Sequence, residues 1–107
     1  MAKTARMEQL EAMLLEDPHD AFLRYGLAME HTSAGDDTTA TVVLLELIAL
    51  KQTDPYIPAY LQAGQSLMRL GREPESALVL REGIEAAHKT NDHHAMGEMQ
   101  ALLATVE

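Results

Sequence analysis

A constant offset of 36 residues relates two stretches of this 107-residue chain, and it constrains the fold more than any other feature. Small and apolar residues recur at that offset. The matched positions are Leu27-Ala28 with Ala63-Gly64, Gly35 with Gly71, Ala40 with Ser76, and Leu44 with Leu80. A fixed period in this range is the sequence signature of a stacked repeat array. The offset therefore predicts that both stretches form the same structural unit and stack on each other.

Helical spacing dominates the chain, and strand signals are weak. Met7, Leu10 and Leu14 lie at i, i+3 and i+7, which is the spacing of one helical face. The run VVLLELIAL, residues 42 to 50, is apolar except for Glu46, and its periodicity alone allows either a buried strand or a helix. The surrounding repeat favours a helix, so we predict six helices separated by short turns.

Turn residues mark where these helices begin and end. We expect Asp17 to cap the second helix, with Pro18 at its first position and Asp20 in its first turn. Gly35 and Gly71 are suited to the left-handed conformation that ends a helix. Candidate N-caps for other helices are Thr4, Asp36 or Asp37, and Asn91 or Asp92.

The repeated pattern resembles the tetratricopeptide repeat, W-x2-L-G-x2-Y followed by A-x3-F and P. The first unit supplies Arg24, Leu27, Ala28, His31, Ala40, Leu44 and Pro55; the second supplies Tyr60, Ala63, Gly64, Leu67, Ser76 and Leu80. The match has four departures from the family pattern. Arg24 replaces the large aromatic residue, and the period is two residues longer than the usual 34. Pro55 comes late in the first unit, and the second unit lacks a closing proline.

Small residues match the family best, at Ala28, Ala40, Gly64, Ser76 and Gly83. These are the positions where such a fold brings helices close together. A glycine inside a helix costs about 1 kcal/mol relative to alanine. We therefore expect Gly64 to be present because a neighbouring helix approaches its backbone.

The resemblance implies an all-α fold of six helices, in antiparallel pairs that stack as a short right-handed solenoid. We expect a single domain over residues 1–107. It would comprise an N-terminal half-repeat helix (3–17), two full repeats (20–54 and 57–89) and a C-terminal capping helix (91–106). A plain helical bundle is the alternative architecture.

Composition and charge argue against several classes of function. Seventeen acidic and 8 basic residues give a net charge of −9, and the basic residues are scattered singly, so we expect no nucleic-acid binding. No apolar run approaches the roughly 20 residues that span a bilayer, and the N-terminus lacks the apolar stretch of a signal peptide. We expect a cytoplasmic protein that does not bind membranes.

Catalytic and metal chemistry find little support in the sequence. His88, His93 and His94 cluster beside Asp92, but their spacing does not direct three ligands to one point as zinc requires. The serines do not occur in the G-x-S-x-G pattern of a hydrolase nucleophile. We expect no catalytic residue, no cofactor and no metal; a metal site at the three histidines is the alternative.

The family resemblance implies that the first helix of each pair lines a concave groove that receives a peptide or helix. Groove residues would be Phe22, Tyr25 and Met29 on the second helix, and Leu61, Gln65 and Met68 on the fourth, with Arg69 at the edge. Phe22 is equally compatible with packing against the first helix as core. The expected partner is a protein segment that is apolar or amphipathic and carries some basic charge. The alternative is a structural homodimer formed through the apolar third helix.

Overall fold

The computed structural model describes residues 3–107, and within that range it contains six α-helices and no strand. The helices are α1 (Ala5–Glu16), α2 (Ala21–Ser33), α3 (Asp37–Leu50), α4 (Ile57–Arg69), α5 (Glu73–Lys89) and α6 (His93–Ala104). The predicted all-α class is confirmed. The ambiguous run from residue 42 to 50 lies in α3 and is helical.

Each helix packs against the next one in the chain, and α4 also contacts α6. As a result α3 lies between α2 and α4, and α5 lies between α4 and α6. One large core cluster joins α2 to α6, and its fully buried residues include Leu44, Leu47, Leu67, Leu80 and Met99. A smaller cluster of Met7, Leu10 and Leu27 fixes α1 to α2.

The first helices of successive units start at equal intervals. The N-caps of α2, α4 and α6 are Asp20, Tyr56 and Asp92, so each step is 36 residues, from 20 to 56 and from 56 to 92. Asp20 and Asp92 each accept a hydrogen bond from the backbone amide three residues further on. The period that the sequence predicts therefore continues into α6.

The predicted start of α2 is wrong. Asp17 does not cap α2: its amide donates to the Met13 carbonyl at 3.1 Å and so completes α1. Residues 18 and 19 form the turn, and Asp20 is the N-cap, with its carboxylate 2.8 Å from the Leu23 amide. The chain reverses direction through these turn residues, so the N-cap of α2 lies three residues beyond the predicted one.

Residues with positive φ end three of the helices. Gly35 (φ 79°) and Gly71 (φ 75°) follow α2 and α4, as predicted. Asn91 has φ 59° and has the same role after α5, so the N-cap of α6 is Asp92 and not Asn91. The last helix ends at Ala104, two residues before the predicted end.

Two buried glycines allow close contact between helices. A Cβ atom placed on Gly64 would lie 2.6 Å from Cδ2 and 2.8 Å from Cγ of Leu80 in α5. The Ser76 hydroxyl of α5 also donates to the Gly64 carbonyl at 2.8 Å. A Cβ atom on Gly83 would lie 2.6 Å from both the Met99 sulfur and the Tyr60 Cβ. The close approach predicted at Gly64 is therefore present, and Gly83 shows a second one.

Helix α6 differs from α2 and α4 at the position that receives the following helix. That position holds the buried small residues Ala28 in α2 and Gly64 in α4, and 36 residues later it holds Gln100. The Gln100 side chain is exposed. The buried side of α6, centred on Met99, faces back toward the stack.

Candidate functional site

Helix α4 is the most enclosed helix of the protein, and only one stripe along it is not buried. Its buried residues include Tyr60, Ala63, Gly64 and Leu67. The remaining residues follow i, i+3, i+4 and i+7 spacing and so share one face: Pro58, Leu61, Gln62, Gln65, Met68 and Arg69. This stripe contains all four α4 residues that the sequence assigns to a groove.

The predicted residues of α2 are partly exposed as well. Phe22 exposes 71% of its surface, so it does not pack as core against α1. Tyr25 and Met29 are half-buried at the edge of the large core cluster. Phe22, Tyr25 and Met29 lie one turn apart and therefore share a face of α2.

Aromatic residues join α2 to the start of α4. The rings of Tyr25 and Tyr56 lie with their centroids 5.2 Å apart and their planes at 49°. Burial, followed by the neighbouring Tyr56, raises the pKa of Tyr25, while a hydrogen bond with the Gln62 side chain opposes the rise. Burial raises the pKa of Tyr56, and the nearby negative charge of Asp20 adds to the shift. We refer to Phe22, Tyr25 and Tyr56 as the aromatic end of this face.

The C-terminal end of α4 carries a different kind of contact. The Arg69 guanidinium donates to the Asp37 carboxylate at 3.0 to 3.1 Å and to the Ser66 hydroxyl at 3.2 Å. Asp37 lies in the first turn of α3. Arg69 thus links α4 to the preceding helix, and its charge is already paired.

Comparison with solved structures shows which protein family this fold resembles. The fold is similar to the crystal structure of a tetratricopeptide repeat domain protein from Salinibacter ruber, with a TM-score of 0.72 and 30% sequence identity over 81% of this chain and 96% of that chain. This chain belongs to the tetratricopeptide repeat family. A scan of protein-family models found no match, and a search of curated proteins found none either.

Tetratricopeptide repeats are generally scaffolds for protein–protein interaction, because a stack of helix pairs presents an extended concave surface. The family membership confirms the resemblance carried by the repeated small residues. It also draws attention to the unburied faces of α2 and α4, the first helices of the two pairs, as the candidate interaction surface.

Sequence reasoning missed two residues of this surface, Tyr56 and Gln62. Tyr56 lies in the connection TDPYIP before α4, outside the helical spacing that predicts the groove residues. The period itself was the available signal, because Tyr56 follows Asp20 by 36 residues and therefore occupies an equivalent N-cap. Gln62 precedes Gln65 and Arg69 by three and seven residues, so helical spacing alone places it on their side of α4.

The histidines and serines are the candidate metal ligands and nucleophiles of the sequence, and they have different surroundings in the structure. Within residues 3–107 no group of three or more His, Cys, Asp or Glu side chains is arranged to hold a metal ion. His94 pairs with Glu98 at 3.2 Å, and His88 and His93 are exposed. Ser66 and Ser76 are fully buried and hydrogen-bonded inside the stack.

The apolar helix α3 is mostly covered by its neighbours. Leu44 and Leu47 are fully buried between α2 and α4. Val42 and Leu50 remain 52% and 37% exposed.

Within the described part of the chain, no helix has both the length and the apolar character that crossing a membrane requires.

A separate cleft of about 480 Å³ lies between the α3–α4 connection and α5. Tyr60, Pro55 and Ala86 form part of its lining, and Glu82 and Glu85 are also among the lining residues. Glu85 pairs with Lys89 at 3.1 Å, so part of the acidic charge is balanced within the cleft.

Proposed function

We propose that this tetratricopeptide repeat protein is a non-catalytic interaction module that binds a short peptide or helix of another protein along the face formed by α2 and α4. One observation carries the proposal. Helix α4 is buried on all sides except the stripe that includes Leu61, Gln65 and Met68. A partner that contacts α4 with its side chains must therefore use this stripe.

The chemistry of the face supports a protein segment as the ligand. Exposed apolar residues bordered by polar ones are typical of interaction sites. Of the residues in the proposed face, Phe22 is an exposed apolar residue, Met68 is half-buried and Gln65 is polar. Methionine adapts its shape to different partners.

Charge favours a basic or amphipathic segment over an acidic one. The chain has a net charge of −9, which attracts positively charged ligands at long range and repels nucleic acid. Such attraction acts mainly on the association rate and weakens as salt is added.

A peptide-display selection on the wild-type protein would test the proposal directly. Selected peptides would be synthesised with a fluorescent label, and their Kd measured by anisotropy. The variant Phe22→Ala, Gln65→Ala, Met68→Ala should bind at least about tenfold more weakly, because a few central residues carry most interface energy. The matched control is Val42→Ala with Leu78→Ala, which truncates two exposed apolar side chains on α3 and α5.

Circular dichroism of each variant would confirm that all of them are folded. We expect the control variant to bind within about twofold of wild type, since surface residues outside the contact contribute little. Equal binding by the wild type and the variant Phe22→Ala, Gln65→Ala, Met68→Ala would place the site on another face. An equal loss in the control variant would contradict the proposal as well.

Self-association through α3 is the alternative function, and the exposure of Val42 is the observation that favours it. Light scattering separates the two ideas, because a monomer has a mass of 11.8 kDa and a dimer has twice that. A dimer that Val42→Glu dissociates would establish the alternative.

A further inference from the structure

We propose that the aromatic end of the α2–α4 face binds a lysine or arginine side chain of the partner segment, with Asp20 supplying the complementary charge. The inference rests on the proposed function and specifies the chemistry of its ligand. It would make recognition depend on one cationic residue of the partner.

The aromatic end concentrates an uncommon residue type. Phe22, Tyr25 and Tyr56 are three of the four aromatic residues in the chain. Tyr25 and Tyr56 are half-buried and hold each other at 5.2 Å in a tilted arrangement, so their rings are fixed before a ligand arrives. Phe22 precedes Tyr25 by three residues on the same face of α2 and is 71% exposed.

Aromatic ring faces attract cations. An ammonium or guanidinium group within about 6 Å of a ring centroid interacts favourably with the ring quadrupole, and arginine does so most often. An uncharged apolar ligand would also cover Phe22, but it would leave the neighbouring carboxylate unused. The carboxylate is what distinguishes a cation site from an ordinary apolar patch.

Asp20 provides that carboxylate. It caps α2 through the Leu23 amide, which fixes its position, and its charge acts on the Tyr56 hydroxyl. Among the described residues, no lysine or arginine lies within ion-pair distance of Asp20. The positive end of the α2 dipole offsets about half of the Asp20 charge. The attraction for a ligand cation therefore comes from the remaining charge together with the ring faces.

The arginines of α2 and α4 have other partners and do not pair with Asp20. Arg24 directs its Nε to the Pro18 carbonyl at 2.6 Å and its Nη1 toward Glu46 at 4.0 Å. Arg69, the basic residue on the α4 stripe, is paired with Asp37. The Asp20 carboxylate beside the aromatic end is therefore left without a lysine or arginine of this protein as an ion-pair partner.

The experiment uses labelled peptides from the display selection and changes only the charge of one ligand residue. Replacing the ligand's arginine by citrulline removes the charge and keeps the length of the side chain. Replacing its lysine by norleucine removes the ammonium group and keeps the four-carbon chain. For the wild-type protein we expect Kd to rise by about fivefold or more. Asp20→Asn removes the carboxylate charge while keeping the cap, because asparagine is an equally good N-cap.

In the double variant Asp20→Asn, Phe22→Leu, the penalty for the uncharged ligand residue should fall to about twofold or less, since both the charge and one ring are gone. Asp36→Asn is the matched control. It removes the same charge from another N-cap, that of α3, and should keep the full penalty.

Three results would overturn the inference. The selected peptides could lack a basic residue, the citrulline or norleucine penalty could be absent, or the penalty could be the same in wild type and in the double variant. In each case the proposed function survives if the Gln65→Ala, Met68→Ala changes still weaken binding. Selection of no peptide at all would contradict both proposals.

Discussion

The two helix pairs, α2 with α3 and α4 with α5, share one backbone plan but divide their side-chain volume differently. In the second pair Tyr60 is 4% exposed and lies against Gly83, where any Cβ atom would meet the Tyr60 Cβ at 2.6 Å. The residues 36 positions earlier are Arg24 and Leu47. Arg24 turns to the Pro18 carbonyl, and Leu47 is fully buried.

The first pair therefore has its large apolar residue on the second helix, whereas the second pair has it on the first helix. The period constrains the combined volume at a helix contact more strongly than the identity of either residue. This explains how Arg24 can occupy the position of the usual aromatic residue without opening the stack.

Among the changes that test this comparison of the two helix pairs, Gly83→Ala should have the largest effect on stability. We expect the free energy of unfolding to fall by about 1 to 3 kcal/mol, because the new methyl group overlaps Tyr60 Cβ and the Met99 sulfur. This loss would occur although alanine is about 1 kcal/mol better than glycine in a helix. Urea unfolding followed by circular dichroism measures the change.

Gly97→Ala is the matched control for that variant. Gly97 also lies inside a helix, but a Cβ atom there would meet nothing within 4 Å. Gly97→Ala should stabilise the protein by about 0.5 to 1 kcal/mol. If Gly83→Ala were as stable as wild type, the exchange of volume between the two pairs would not be what maintains Tyr60 in the core.

A smaller loss of stability is expected when residues of the second helix pair are replaced by their equivalents in the first pair. Gly64→Ala should cost about 1 to 2 kcal/mol, because the ends of the Leu80 side chain can move partly aside. Adding Ser76→Ala removes the 2.8 Å hydrogen bond to the Gly64 carbonyl and reproduces the Ala28 and Ala40 of the first pair. The double variant should then lose less than the sum of the single losses, because the two changes act on the same helix contact.

Strict additivity in that double-mutant cycle, measured by urea unfolding, would count against a shared backbone plan. It would mean that α5 cannot move to the spacing that α3 adopts against α2.

Thr41→Val should make the first pair more like the second. The Thr41 hydroxyl is buried and has no hydrogen-bond partner within the protein, and the equivalent residue of the second pair is Ala77. Valine keeps the shape and removes the unpaired polar group, so we expect a gain of about 1 kcal/mol in unfolding free energy.

Thr32→Val provides the contrast for Thr41, because the Thr32 hydroxyl donates to the Ala28 carbonyl at 3.2 Å. We expect this change to be neutral or destabilising. A loss of stability for Thr41→Val would show that its hydroxyl is satisfied in solution.

The smallest expected effect concerns the start of α3 and α5. Hydrogen bonds from Thr39 hold the pKa of Asp36 below its usual value, and a hydrogen bond from Arg72 lowers the pKa of Glu75. The two contacts occupy equivalent positions, 36 and 39 against 72 and 75. A carboxyl whose folded pKa is lowered stabilises the protein above its unfolded pKa, near 4, and this contribution is lost as the pH falls through the folded value.

Thermal unfolding between about pH 2 and pH 6 measures this dependence. Asp36→Asn should flatten part of the slope, because asparagine caps α3 without titrating. Adding salt should weaken the Glu75 part, which is an exposed ion pair, more than the Asp36 part. An unchanged slope in Asp36→Asn would show that its cap does not depend on ionisation.

Local rules and the period were enough to predict most of the fold. Gly35 and Gly71 end helices because they adopt positive φ, and Gly64 lies at a close contact. The start of α2 was misplaced because Asp17 and Asp20 both have the chemistry of an N-cap, and only the path of the turn decides between them.

The candidate site was less predictable, because its contacts join residues far apart in sequence. The pairing of Arg69 with Asp37 spans 32 residues, and no local pattern indicates it. The contact between Tyr25 and Tyr56 depends on how α2 and α4 are placed by the helix between them. Helical spacing identified the face of α4, whereas the chemistry at its two ends required the three-dimensional arrangement.

The equal spacing of Asp20, Tyr56 and Asp92 makes the protein extensible. Because α4 and α6 begin in the same register, a second copy of residues 57–92 could be inserted before His93. It would add another helix pair between α5 and α6. Gln100 would remain on the outermost helix, where its exposed side chain faces water. Each inserted copy would lengthen the proposed recognition surface by one α4-like stripe, so duplication would set the length of the segment that we propose it binds.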